Sequence, residues 1–508
     1  MSDPADFALQ ETTVAELQEG MRAGRLTARS IVEQYMMRIA ALDRAGPELA
    51  HLIELNPEAL AIADRLDLER RARGARGPMH GIPVLIKENI ATADQMGTTA
   101  GSLALLGSTV PRDSFIVERL RVAGAVILGK TNLSEWANFR GQHSSSGWSA
   151  RGGQGKNPYA LDRSPSGSSS GSGGAVAADY CAVGIGTETD GSIVSPASCN
   201  AVVGLKPTVG LVSRSGIVPI AHSQDTAGPM CRTVSDAAVL LSAIAGPDPR
   251  DLATAASRGH VKSDYTRFLD PDGLKFARLG LPREHFFGYS THADRLAEAA
   301  IEVLKDQGAI IVDPANIPTA GKFEDSELEV VLYEFKADLN AYLGALTSSP
   351  MRSLADVIAF NGAHSSEEMP FFGQELMLQA DQKGPLSDSV YRKALAKNRR
   401  LSRSLGIDAV MREHRLDALV APTQGPADLI DHVNGDPGGG GSASSPAAVA
   451  GYPHITVPMG FARGLPVGLS FFGTAWSEPV LLKLAFAFEQ ATKLRHPPTF
   501  AAHADYPP

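Results

Sequence analysis

The sequence predicts an α/β fold, with one large, mixed and largely parallel β-sheet covered by helices on both faces. Three observations lead there. Short apolar runs that read as buried strands alternate with longer segments of helical periodicity, the order that builds a parallel sheet with helices packed on it. Two loops of small residues, 167–174 and 186–192, bracket an Ala-rich run that reads as deep core. No internal repeat and no domain linker interrupts the 508 residues, so residues 1–508 are expected to form a single domain.

Residues 1–75 read as a helical scaffold. Thr13 and Thr27 stand where a side-chain oxygen caps a helix start. After Thr27, the residues Ile31, Val32, Tyr35, Met36, Ile39 and Leu42 recur at helical spacing and make one apolar face, which Gly46-Pro47 ends. Residues 52–55 read as a strand, and Pro57 opens a charged helix that runs through Arg71. The basic run Arg70, Arg71, Arg73 and Arg76 lies at that helix's end, where cations are favoured. Lys and Arg total 47 against 56 Asp and Glu, a net charge of −9, and no clustered basic stripe of the nucleic-acid-binding kind is present.

The apolar run 82–86 reads as a strand that ends at Lys87. Residues 124–131 satisfy the phosphate-loop pattern G-x-x-x-x-G-K-[ST], but the interval between the glycines is Ala-Val-Ile-Leu. A phosphate loop turns its N–H groups toward the ligand, whereas a buried strand uses them in the sheet. The segment therefore reads as a core strand ending at Lys130, with no nucleotide. Residues 157–166 read as a polar, Pro-containing loop. Gly167-Ser168-Ser169-Ser170-Gly171 fits the nucleophile-elbow pattern G-x-S-x-G, which would make Ser169 a nucleophile. That elbow needs a strand immediately before it, and the loop is not one.

Further strands are expected at 279–281, 310–312 and 418–421, then in HITVPMGF and LPVGLSFFG, followed by an amphipathic helix over 481–492. Residues 320–405 read as helix-rich and charged, and residues 436–442 as a mobile loop. Cys181, Cys199 and Cys231 are too few for a disulfide framework, lack metal spacing and read as buried small hydrophobes. No run reaches the roughly 18 apolar residues of a membrane span. The start, MSDPADFALQ, has no export-signal pattern, so a cytoplasmic location is expected for this chain.

The stretch GSSSGSGGAVAADYCAVGIGTETDGSIVSPASCN, residues 167–200, resembles the signature of the amidase signature family of serine hydrolases. GKTNLSEWANFRG, GLKPTVGLVSR, SQDTAGPM and LPVGLSFFGTAWSEP are also similar to family segments, so the resemblance runs nearly end to end. It implies the amidase-signature fold, with a catalytic core over 80–235 and substrate choice partly in 320–405. It implies a Ser–Ser–Lys triad of Ser192 as nucleophile, Ser168 as bridge on a cis peptide bond, and Lys87 as base. Lysine suits that task because burial disfavours its charged form. Backbone N–H groups of Thr189, Asp190, Gly191 and Ser192 would form the oxyanion hole. Phe139, Arg140 and Gln142 are implied as substrate-pocket residues. Tyr333, Phe335, Phe371 and Phe372 read either as core or as pocket lining. No metal and no cofactor is implied. Ser166 and Asp190 replace glycines frequent in the family, and the Asp190 side chain is expected to point away from the oxyanion loop.

Within the family, the flanking segments are most similar to bacterial peptide amidases, which implies release of ammonia from C-terminal peptide amides. Aryl or aliphatic amides, esters and carbamates stay open as alternative substrates. So does the glutaminase-like component of a tRNA-dependent amidotransferase, against which the lack of a basic face argues. The expected partner is a small-molecule or peptide amide, with no nucleic acid and no membrane, on a monomer or homo-oligomer.

Overall fold

A computed structural model describes residues 7–437 and 441–505. Residues 1–6, within the start read for an export signal, and residues 438–440 of the expected mobile loop lie outside the described residues. The strands, in chain order, are β1 (Leu52–Leu55), β2 (Pro83–Lys87), β3 (Val126–Thr131), β4 (Trp148–Ser149), β5 (Gly153–Gln154), β6 (Val183–Glu188) and β7 (Val203–Lys206). They continue as β8 (Thr226–Cys231), β9 (Arg278–Gly280), β10 (Ile310–Val312), β11 (Ala418–Pro422), β12 (His454–Ala462) and β13 (Leu465–Phe472). β4 and β5 pair with each other; the rest form one sheet in the order β1-β3-β2-β6-β8-β7-β12-β13-β11-β9-β10.

Parallel pairing joins β3 to β2, β2 to β6, β11 to β9 and β9 to β10. The pairs from β6 across the centre to β11 are antiparallel, as is β1 with β3. The alternation of strands and helices that predicts parallel pairing thus holds on the flanks of a mixed sheet. At the centre the chain doubles back. β12 and β13 are joined by Arg463-Gly464 alone, with φ of 55° and 76°, the positive-φ pair that matches the twist of a tight hairpin. Every residue of β2, β3, β6, β8 and β13 is buried. Successive strand side chains point to opposite faces, so both faces of the sheet are covered there. No helix among the described residues is long and apolar enough to cross a membrane.

The N-terminal helices start at the expected caps: Thr13 and Thr27 each accept a backbone N–H from three residues on. The expected phosphate-loop lookalike is strand β3. Its Lys130 is buried, with Nζ donating to the Ile90 carbonyl and to Thr98 Oγ1. The three cysteines are free and buried.

One expectation changes. Residues 167–174 read as a loop, but a helix starts inside them, Ser170–Ala177, and all its residues are buried. Gly and Ser are poor helix formers in isolation. Here close packing decides: a Cβ at Gly174 would collide with the His51 ring, and one at Gly171 with the carbonyls of His51 and Asn132. Small residues let this helix enter the core.

The helix-rich segment begins with Glu324–Ala345 and continues through Leu354–Ala363, Ser365–Glu368, Glu375–Asp381 and Ser389–Arg399. A buried polar joint bolts it to the sheet. Arg140, fully buried, pairs with Glu135 and donates to the carbonyls of Glu368 and Phe372, its guanidinium 4.1 Å from the Phe372 ring centre. Glu368 in turn accepts from Ser102 Oγ and Leu103 N–H. Tyr333, Phe335 and Phe372 are buried, as the core reading has it, while Phe371 is exposed and stacks on His432. Arg140→Ala is expected to cost about 3–5 kcal/mol, since removing one partner strands the buried carboxylate of the other. Denaturant unfolding measures it; a loss below about 1 kcal/mol would mean the joint does not hold the segment.

Candidate active site

Parallel neighbours β2 and β6 end side by side, with Ile86 opposite Ile185. The carboxyl ends of such strands are where open α/β sheets hold ligands. Lys87 is the last residue of β2, and β6 runs directly into the turn 189–192 that carries Ser192. The buried helix Ser170–Ala177 points its N-terminus at the same place and brings Ser168 and Ser169 with it. The Gly167–Ser168 peptide bond is cis. Sequence-distant groups therefore meet because two strand ends and one helix start converge.

Lys87 is fully buried, and its Nζ donates to Ser168 Oγ at 2.8 Å, Thr187 Oγ1 at 3.0 Å and the Thr187 carbonyl at 3.3 Å. Burial lowers its pKa to about 7, while the charges of Glu188 and Asp225 act to raise it. Ser169 N–H donates to the Ser192 carbonyl at 3.1 Å, which stitches the two serine loops together. Ser169 Oγ donates to the Thr187 carbonyl and accepts from Thr187 N–H, so its hydroxyl serves the backbone. A Cβ at position 186 would press on that hydroxyl at 2.7 Å, which is why glycine stands there.

The oxyanion turn is shaped from beneath. The buried Glu188 carboxylate accepts from Ile193 N–H at 2.7 Å and Val194 N–H at 3.1 Å. Thr189 Oγ1 donates to Asp225 Oδ1 at 2.6 Å, and Asp225 also accepts from the N–H groups of Ile220 and Ala221. Gly191 has φ of +77°, a conformation that favours glycine. Sequence reasoning misses Glu188 and Asp225. Both lie in segments similar to the family, but their work is to accept backbone hydrogen bonds, which leaves no mark in residue spacing. Burial raises the pKa of Asp225 to about 6, and the Thr189 hydrogen bond holds it down.

Two cavities meet at the serines. One, of about 390 Å³, is lined by Ser168, Asn89, Thr187, Asp225 and Tyr342. The other, of about 360 Å³, is lined by Ser192, Phe139, Ile220, Leu328 and Val331 together with Asp190 and Glu327. Ala137, Thr189 and Ile220 line both. Trp136, Ala137 and Asn138 all have positive φ, a run that sets Ala137 at both cavities and Phe139 against Phe335, ring centres 5.0 Å apart.

Of the pocket residues the resemblance implies, Phe139 faces the Ser192 cavity. Arg140 does not: its side chain is committed to the buried joint with Glu135 and the 368–372 backbone. Gln142 sits beside the same joint, where its N–H donates to Glu375 Oε2 at 3.2 Å. The Asp190 carboxyl turns to the hydroxyls of Ser444 and Ser445 and to the Glu327 carboxyl, so it faces a second acid at the cavity wall. At the outer end of the Ser168 cavity, His222 Nδ1 lies 2.8 Å from Asp338 Oδ2 and Nε2 lies 3.3 Å from Glu334 Oε1, a latch between a turn and the helix Glu324–Ala345.

Against known proteins, residues 30–482 match the family model described as Amidase. A probable amidase of Arabidopsis thaliana is 46% identical over 505 residues, covering 98% of this chain and 93% of that protein. The A chain of the glutamyl-tRNA(Gln) amidotransferase of Halorhodospira halophila is 34% identical over 507 residues, covering 95% of this chain and 98% of that protein. Among solved structures, the native peptide amidase of Stenotrophomonas maltophilia superposes with a TM-score of 0.93 at 55% identity, covering 97% of this chain and 99% of that one.

The hydroxyl arrangement yields a direct expectation. A fluorophosphonate probe, which phosphonylates activated serines, should modify Ser192 and leave Ser169 untouched when the labelled peptides are mapped by mass spectrometry. An adduct on Ser169 would mean that its backbone bonds open readily and that the two serines have been assigned the wrong way round.

Proposed function

Since the chain belongs to the amidase signature family of amide-hydrolysing enzymes, we propose that Ser192 is its nucleophile, Ser168 and Lys87 its proton relay, and the C-terminal amide of a peptide its substrate. The observation that carries the chemistry is the buried Lys87 Nζ at 2.8 Å from Ser168 Oγ, on a loop stitched to that of Ser192. A serine hydroxyl is a weak nucleophile until a base takes its proton. With Lys87 neutral, its lone pair accepts the Ser168 proton while Ser168 takes that of Ser192, a relay open to serine because its hydroxyl both donates and accepts.

The Ser192 oxygen attacks the carbonyl carbon, and the negative oxygen so formed is held by the N–H groups of residues 189–192. One such donor is typically worth about 3 kcal/mol of barrier. As the tetrahedral adduct collapses, the C–N bond breaks and the relay runs backwards, so the nitrogen leaves as ammonia and the acyl group stays as an ester on Ser192. Water then attacks that ester by the same relay, giving the carboxylic acid and free Ser192.

The peptide-amide assignment is supported by 55% identity to a peptide amidase over nearly the whole chain, against 34% to the amidotransferase component. It is also supported by shape. Two tight small-residue turns flank Ser192, which suits a leaving group as small as ammonia, and the apolar wall of Phe139, Leu328 and Val331 suits an amino-acid side chain. The glutaminase-like amidotransferase component is the second reading, on the strength of that 34% match across 95% of the chain.

One peptide offered in amidated and free-acid forms tests the proposal by mass spectrometry. The amidated form should gain about one mass unit as NH₂ becomes OH, and the acid should stay whole. Internal cleavage of either, or turnover only of anilides, carbamates or free glutamine, would move the substrate elsewhere. Lys87→Ala should lower kcat by about 10²–10⁴-fold, and Lys87→Arg should not restore it, because arginine stays protonated. The neutral form of Lys87 populates above its pKa of about 7, so kcat/KM should climb with pH through that region and level off above it. A flat profile from about pH 5 to 8 would count against Lys87 as the base.

A further inference from the structure

The relay and the oxyanion turn leave one polar feature of the Ser192 cavity without a task. Asp190 and Glu327 line this cavity together, with their carboxyl groups in hydrogen-bond contact. Two carboxylates that close cannot both ionise, so the pair shares a proton and carries one net negative charge. It is tied to the oxyanion turn twice. Asp190 is itself part of that turn, and Gln224 Nε2 donates to both Glu327 Oε1 at 2.9 Å and the Thr189 carbonyl at 3.3 Å. Ser444 and Ser445 hold the Asp190 carboxyl from behind. Asp190 Oδ1 is nonetheless buried and accepts no hydrogen bond among the described residues. Buried oxygens of this kind are uncommon in folded proteins, and each calls for a partner. Glu324 adds a further carboxylate to the lining of the same cavity.

We propose that the Asp190–Glu327 pair is the element that distinguishes an amide from a carboxylate in this site. A carboxamide or peptide N–H approaching the pair finds an acceptor. A carboxylate offers only acceptors and meets a fixed negative charge in a partly dehydrated cavity, where such repulsion is weakly screened. The pair therefore favours the amidated substrate and expels the product, since hydrolysis converts R–CO–NH₂ and water into R–COO⁻ and NH₄⁺ beside it. The inference rests on the peptide-amide reading above and assigns the residues that enforce it. The pair acts on binding and release, while proton transfer stays with Ser192, Ser168 and Lys87.

The test uses Ser192→Ala protein, so that nothing turns over, and titrates one peptide in amidated and free-acid forms by calorimetry. The amidated form should bind at least about tenfold more tightly. Glu327→Gln, or separately Asp190→Asn, in that background removes the charge with little change of shape, and the preference should fall to about threefold or less, chiefly because the free acid now binds more tightly. A preference that stays the same in both variants, with the two peptides weakened equally, would show that the pair only shapes the cavity and would overturn the inference alone. Binding of neither peptide to the Ser192→Ala protein would overturn the peptide-amide reading and the inference with it.

Discussion

A lysine amine with no access to water is the constraint around which the rest of this molecule is arranged. Lys87 ends a strand whose every residue is buried, and its amine has three acceptors within reach, Ser168 Oγ, Thr187 Oγ1 and the Thr187 carbonyl. An ammonium has three N–H groups and would use all three. A neutral amine has two, and a lone pair to spare. The same pocket therefore accommodates both protonation states without moving an atom group. Desolvation sets their balance near neutrality, and the nearby carboxylates of Glu188 and Asp225 stop it from falling further. Those two acids also hold the oxyanion turn from beneath, so one pair of side chains tunes the amine and shapes the turn.

Much of this is legible in the residues, for reasons that differ from element to element. Strand positions such as 52–55 and 310–312 follow from apolar runs between turn signals, which depend on local chemistry. Lys87, Ser168 and Ser192 stand out only through a family resemblance, because nothing in their spacing announces that three sequence-distant groups share a site. The helix Ser170–Ala177 is hidden, since its glycines carry no helical signal until His51 and Asn132 are seen against them. The central antiparallel pairings are equally non-local, as β7 and β12 are far apart along the chain. Arg140 lies one residue beyond a cavity-lining phenylalanine, which makes it look like a pocket residue. It points the other way, into the joint that holds the helical segment.

Small residues recur wherever two pieces of the site touch. Gly186 lets Ser169 lie against β6, and Gly171 and Gly174 let the helix pass under His51. Glycine in a helix usually loses about 1 kcal/mol relative to alanine. The backbone thereby reaches places that a side chain would fill, which brings the N–H groups of residues 189–192 and the hydroxyls of Ser168 and Ser192 into one small volume. Rigid elements then hold them, because nearly all of this region is buried.

The joint at Arg140 has a consequence for how the molecule is able to change. Arg140 grips the helical segment through the carbonyls of Glu368 and Phe372, and the Arg140 carbonyl accepts the N–H groups of Leu376 and Met377 in return. Those are main-chain atoms, present whatever side chain is attached to them. The fastening is in that sense blind to sequence along 369–377. Exposed positions there, Phe371 among them, are free to drift under mutation while the segment stays registered on the sheet. A lineage carrying this joint is able to explore new surfaces around an old reaction centre without first having to rebuild the attachment.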